Sequence, residues 1–132
     1  MTFKSKLLVT VLVVVVFDAG ASLLSRLLQF DYTSLTYVSL SIYVLAGYWG
    51  AHRRGFVFGV LLGGLAGLSD ATIGWCVSTW IRPFSRITIP PVNSLLVLIV
   101  LPTVTTLGIL FGLIGAALCK LFGQTKRVEL PS

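Results

Sequence analysis

Charge is what this sequence has least of. Only 11% of its 132 residues are charged, and just four of those are acidic against ten basic. A typical soluble domain carries about 25% charged residues, so a free-standing soluble fold is excluded. One histidine and two cysteines leave little material for a metal centre. Cys76 falls near the outer end of the third apolar stretch and Cys119 near the inner end of the fourth. They stand most of a hydrocarbon thickness apart, roughly 30 Å, whereas a disulfide needs Cα atoms within about 7 Å. Ordinary packing roles follow for both. Catalytic signatures are missing as well: the sequence has no G-x-x-x-x-G-K-[ST], no H-E-x-x-H, no C-x-x-C and no G-x-S-x-G. No enzyme activity, cofactor or metal is therefore expected. His52 sits in a basic turn, where a solvated or headgroup-facing role fits better than catalysis.

What the chain has instead is apolar length. Hydrophobic residues make up 56% of it, and mean hydropathy is +0.99. Four long stretches carry the excess: Leu7–Leu28, Thr33–Trp49, Phe56–Trp80 and Ser94–Leu118. Crossing the hydrocarbon core takes roughly 20 apolar residues, within a range of about 17–25. Backbone groups in lipid must be satisfied internally, which helices do one segment at a time. The expectation is an all-α integral membrane protein: four transmembrane helices in a small bundle over residues 1–122, with a short polar tail at 123–132. The start "MTFKSK-LLVTVLVVVVF…AGA" also has the pattern of a secretory signal peptide. The apolar run resumes as "SLLSRLLQF" and reaches spanning length, which favours an uncleaved first helix.

The basic residues follow topology. Lys4, Lys6, His52, Arg53, Arg54, Lys120, Lys126 and Arg127 flank the stretches on one side; Arg26, Arg82 and Arg86 lie on the other. The positive-inside rule puts both termini in the cytoplasm of a cell-membrane protein. No basic stripe or reader motif points to nucleic acid; the expected partner is the bilayer. Aromatics at both ends of the stretches suit interfacial belts. The segment "IRPFSRITIPPVN", Ile81–Asn93, contains three prolines and cannot be one continuous helix. Pro102, followed by Thr103, Thr105 and Thr106, marks a bend in the fourth helix.

Two acids fall inside apolar stretches, Asp18 and Asp70. On a wheel of about 100° per residue, Gly59, Gly63, Gly67 and Gly74 lie within roughly 60° of Asp70. Leu61, Leu65, Leu68, Thr72 and Trp75 take the opposite face. Small residues every four positions let helix backbones approach closely. Thr105, Gly108, Gly112, Gly115 and Cys119 share a face of the fourth helix, the natural partner of the third. Asp18, Ser22, Ser25 and Gln29 line one face of the first helix. Counted at about 1.5 Å per residue, Asp18 reaches mid-membrane, and Asp70 lies slightly further out, level with Ser22, Thr36 and Thr105. Arg26 leans toward that depth or snorkels outward.

Asp18, Asp70, Arg26, Ser22, Ser25 and Thr105 thus form a candidate polar centre. Structural roles compete with a functional one: a protonated hydrogen-bonded pair, a bridge to Arg26, or glue between subunits. The leading functional expectation is a structural or accessory membrane component that associates through its glycine faces with itself or a membrane partner. The other is a small oligomeric transporter or channel using Asp70 and Asp18 for a proton or cation.

Overall fold

A computed structural model describes residues 3–85 and 94–128, apart from the side chains of residues 3, 53, 96 and 124–128. The described residues contain no strand. Helix α1 spans Phe3–Leu28, α2 Thr36–Arg54, α3 Phe56–Ser69, α4 Trp75–Ile81 and α5 Ser94–Val128. A π-helical turn, Asp70–Gly74, joins α3 to α4 into one rod. Three segments are long and apolar enough to cross a membrane: Lys4–Leu28, Phe56–Ile81 and Val97–Gly123.

The second expected span does not meet that standard. Its 19 residues include several hydroxyls and tyrosines and end in His52-Arg53-Arg54. Yet α2 packs against both α3 and α5, and its Tyr43, Ala46, Gly47 and Gly50 are buried. The loop residues 86–93, including Arg86, Pro90 and Pro91, and the tail residues 129–132 lie outside the described residues.

Local chemistry sets the element ends. Asp31 accepts the Thr33 N–H at 3.1 Å and opens a short 3-10 turn leading into α2. Gly55, at φ +94°, lets the chain reverse between α2 and α3. Arg82 adopts a left-handed conformation, closes α4 through its N–H to Ser78 O, and is followed by Pro83. Pro102 does not end α5; next to it, Thr103 Oγ1 donates to Ile99 O at 2.7 Å.

The glycines hold the bundle's centre. Gly59 and Gly47, Gly63 and Gly112, and Gly67 and Gly108 meet so closely that a methyl on any of them would strike backbone. The expected seam between the third and fourth spans is therefore present as α3 against α5. Gly115 departs from it, because its clearance is taken by the Val44 carbonyl of α2. Gly74 departs too, and faces α1.

Short loops predict that α1 lies against α2. The backbone does otherwise: α1 runs closest to α3, the π turn and α4, and meets α2 chiefly through side chains, as at Val14 against Tyr43 and Ala46. Its polar face is buried at Asp18, Ser22 and Ser25, and the α3–α4 rod supplies Ser78 as the partner of Ser22. At the opposite end Lys6 is buried, with Nζ 5.1 Å from the Trp49 ring centroid and 5.7 Å from that of Phe58. Cation–π contact fits a lysine in this position. Arg54 approaches Phe58 at 5.7 Å. A cavity beside them is lined by His52 and Lys120, so basic side chains do collect at one end of the bundle.

Candidate functional site

Asp18 comes from the middle of α1 and is 1% exposed. No hydrogen bond of good geometry reaches either of its carboxyl oxygens, although the Asp70 carboxyl and the Tyr32 phenol both stand against it. It fits only because residue 74 is a glycine: a Cβ there would overlap Asp18 Oδ2 and lie 3.1 Å from Asp70 Oδ1. The two acids thus face each other across the bare backbone of the π turn. Asp70 opens that turn and is partly exposed. Its Oδ2 accepts a short hydrogen bond from the Tyr43 phenol, itself 2% exposed.

A hydroxyl cluster stands beside the acids. Ser22 Oγ donates to Ser78 Oγ at 3.0 Å, and the Tyr32 phenol shares a 3.1 Å bond with the same oxygen. Tyr32 also lies against Asp18. Burial pushes the Tyr32 phenol above its usual range, so it stays neutral and able to donate. Backbone contacts close this end: Tyr32 N–H donates to Phe84 O at 3.0 Å, and Ser25 Oγ lies 2.7 and 2.9 Å from the carbonyls of Phe30 and Phe84.

Of the six residues expected at the polar centre, Asp18, Asp70 and Ser22 come together. Ser25 lies one turn along and fastens the loop. Arg26 is turned away: its Nη1 donates to Ile81 O at 3.0 Å, and the side chain is exposed. The Thr105 hydroxyl is buried on α5 without a hydrogen-bond partner and joins neither acid.

Tyr43, Tyr32 and Ser78 were not among those six. The wheel does put Tyr43 on the small-residue face of α2 with Gly47, which was the available signal. Ser78 stands about 80° from Asp70 on a regular helix. The π turn absorbs one residue, with Trp75 N–H bonding Asp70 O, and brings Ser78 to about 20°. The same shift moves Trp75 from the lipid side to the site.

Two adjoining cavities flank Asp70. One, of about 230 Å³, is lined by Trp75, Ser78, Thr79 and Val100 among others; the second, of about 200 Å³, by Thr36, Ser39, Tyr43 and Leu107. Tyr32, Asp70 and Val104 border both. Among the described residues no three His, Cys, Asp or Glu side chains are grouped to hold a metal ion. Cys76 and Cys119 are free thiols.

Replacing Tyr43 with Phe tests the first of these contacts. Loss of the phenol leaves Asp70 without its donor, and we expect destabilisation of about 1–3 kcal/mol. The penalty shrinks in an Asp70→Asn background, as coupled partners require. Thermal unfolding in detergent measures both. Compared with protein-family models, curated proteins and solved structures, the chain matches none.

Proposed function

We propose that the chain is a four-helix multi-pass protein of the cell membrane with both termini cytoplasmic, and that it acts as a small oligomeric transporter or channel in which Asp18 and Asp70 bind a proton or cation. One observation carries the reading: a carboxyl 1% exposed, with no hydrogen bond of good geometry to either oxygen, against a second carboxyl. An unpartnered buried carboxylate is costly in protein or lipid. Two facing carboxylates cannot both stay charged without a counter-ion. A shared proton or a bound cation relieves both conflicts, and exchange of that ion is the natural work of such a pair.

The orientation is supported by Lys6, Arg54, His52 and Lys120 at one end. The reading as an accessory component held by glycine faces keeps less support, because those glycines are occupied by partners within the chain.

The test is ion flux in proteoliposomes. We expect Asp70→Asn and Asp18→Asn each to lower pH-gradient-driven cation or proton flux at least tenfold, as loss of an essential ionisable group does, with both variants still helical and soluble in detergent. Flux equal to that of the parent chain in both variants, or none in the parent, overturns the reading.

A further inference from the structure

Asp18 and Asp70 differ in one respect that bears on what the pair takes up. Asp18 is sealed behind Gly74, whereas Asp70 borders two cavities. The linings of those cavities are specific in character. Among the described residues, their one charged side chain is the Asp70 carboxyl, and no described Lys, Arg or His lines either lobe. Three aromatic rings surround it: Tyr32 between the lobes, Tyr43 in one and Trp75 in the other. Most of the remaining wall is aliphatic.

This chemistry selects among cations. A hard metal ion wants about six or more oxygen ligands, or several waters kept; the lobes offer one carboxylate, and the hydroxyls of Thr36, Tyr43, Ser78 and Thr79 on their walls already bond within the chain. A substituted ammonium carries a soft, weakly hydrated charge and gains from aromatic faces. An anion meets only repulsion. In size, each lobe takes one small group, and together they exceed the lower end of ligand pockets, about 300 Å³.

We propose that the two-lobed cavity binds a small lipophilic organic ammonium, with Asp70 as its counter-ion and the rings of Tyr32, Tyr43 and Trp75 as its walls. The proposal rests on the transport reading and names its substrate class. Among the described residues, the other titratable groups facing that carboxyl are Asp18 from α1, Tyr32 from the connecting turn and Tyr43 from α2; α5 presents Val100, Val104 and Leu107 there. Arg26, the basic residue of the same end of α1, is held by the Ile81 carbonyl.

The probe is benzyltrimethylammonium, titrated calorimetrically into the full chain in detergent, with neopentylbenzene as its uncharged isostere. We expect saturable binding of the cation and none of the isostere. Asp70→Asn removes cation binding. Trp75→Leu, which leaves both acids in place, weakens it about fivefold or more, as loss of a cation–π wall does. Equal binding of the isostere, or full affinity in either variant, overturns the proposal. Infrared titration separates the two levels of inference, using the protonated carboxyl band that disappears in the Asp18→Asn/Asp70→Asn double variant. If that band titrates and benzyltrimethylammonium neither binds nor alters it, the ammonium site is wrong and proton binding stands. If neither band nor binding is seen, both fall.

Discussion

Gly67→Leu is expected to cost about 3 kcal/mol or more of folding stability, the upper end of overpacking. A Cβ at Gly67 would lie 2.7 Å from the Val104 carbonyl oxygen and 2.9 Å from Gly108 Cα. Both are backbone atoms of α5, so no side chain can rotate out of the way. The whole helix must retreat. Retreat also opens the neighbouring Gly63–Gly112 contact, so the loss spreads along the seam. Folded proteins hold only about 5–15 kcal/mol in reserve, so a single side chain here removes a large share of it. Gly20→Leu is the matched control. Nothing lies within 4 Å of its Cβ, and the position is exposed; we expect no loss, and a gain of up to about 1 kcal/mol from helix propensity. Thermal or denaturant unfolding in detergent compares the two. Equal stability of the two variants would show that α3 and α5 do not meet as described.

Gly74→Ala produces the second large effect, by a different route. In a helix this exchange ordinarily gains about 1 kcal/mol from propensity. Here the added methyl occupies the position of Asp18 Oδ2 and crowds Asp70 Oδ1. The Asp18 carboxyl has no vacant site at hand, since its surroundings are closed. We therefore expect a net loss of about 1–3 kcal/mol and a fall in flux comparable to that of Asp18→Asn. Removing the carboxyl relieves the collision. In an Asp18→Ala background the same exchange becomes neutral or stabilising, which gives a coupling of about 1 kcal/mol or more in a double-mutant cycle. A cycle with no coupling would place Asp18 elsewhere than against Gly74.

These two positions also mark what the sequence could and could not reveal. Gly59, Gly63 and Gly67 lie on a regular stretch of helix, where a 3.6-residue period reads true, and the partner glycines of α5 follow the same rule. Ser22 shares Asp18's face for the same reason. Beyond Asp70 the period breaks. A π turn has no signature in a hydrophobic pattern, so the wheel puts Trp75 opposite Asp70 and gives no reason to join Ser78 to the acids. Partner choice was hidden more deeply. Nothing along α1 states that its polar face turns to α3 and α4 in preference to α2. The Tyr43–Asp70 bond joins two helices whose relative rotation no single helix encodes. Arg26 illustrates the converse: its depth allowed a pairing with the acids, but an exposed backbone carbonyl at Ile81 was closer.

The π turn has a consequence for how the rod is divided. Below it, α3 offers bare backbone to α5, and that contact tolerates nothing larger than hydrogen. Above it, α4 offers hydroxyl chemistry to α1 and to the turn at Tyr32. One extra residue in the winding separates the glycine seam from the hydroxyl-bearing end, which carries Ser78 and closes at Arg82. Without that residue, Ser78 and Trp75 would swing by about 100° away from Asp70, while Gly59, Gly63 and Gly67 would keep their places. The register of the whole polar end is thus set by five residues that take no part in the seam.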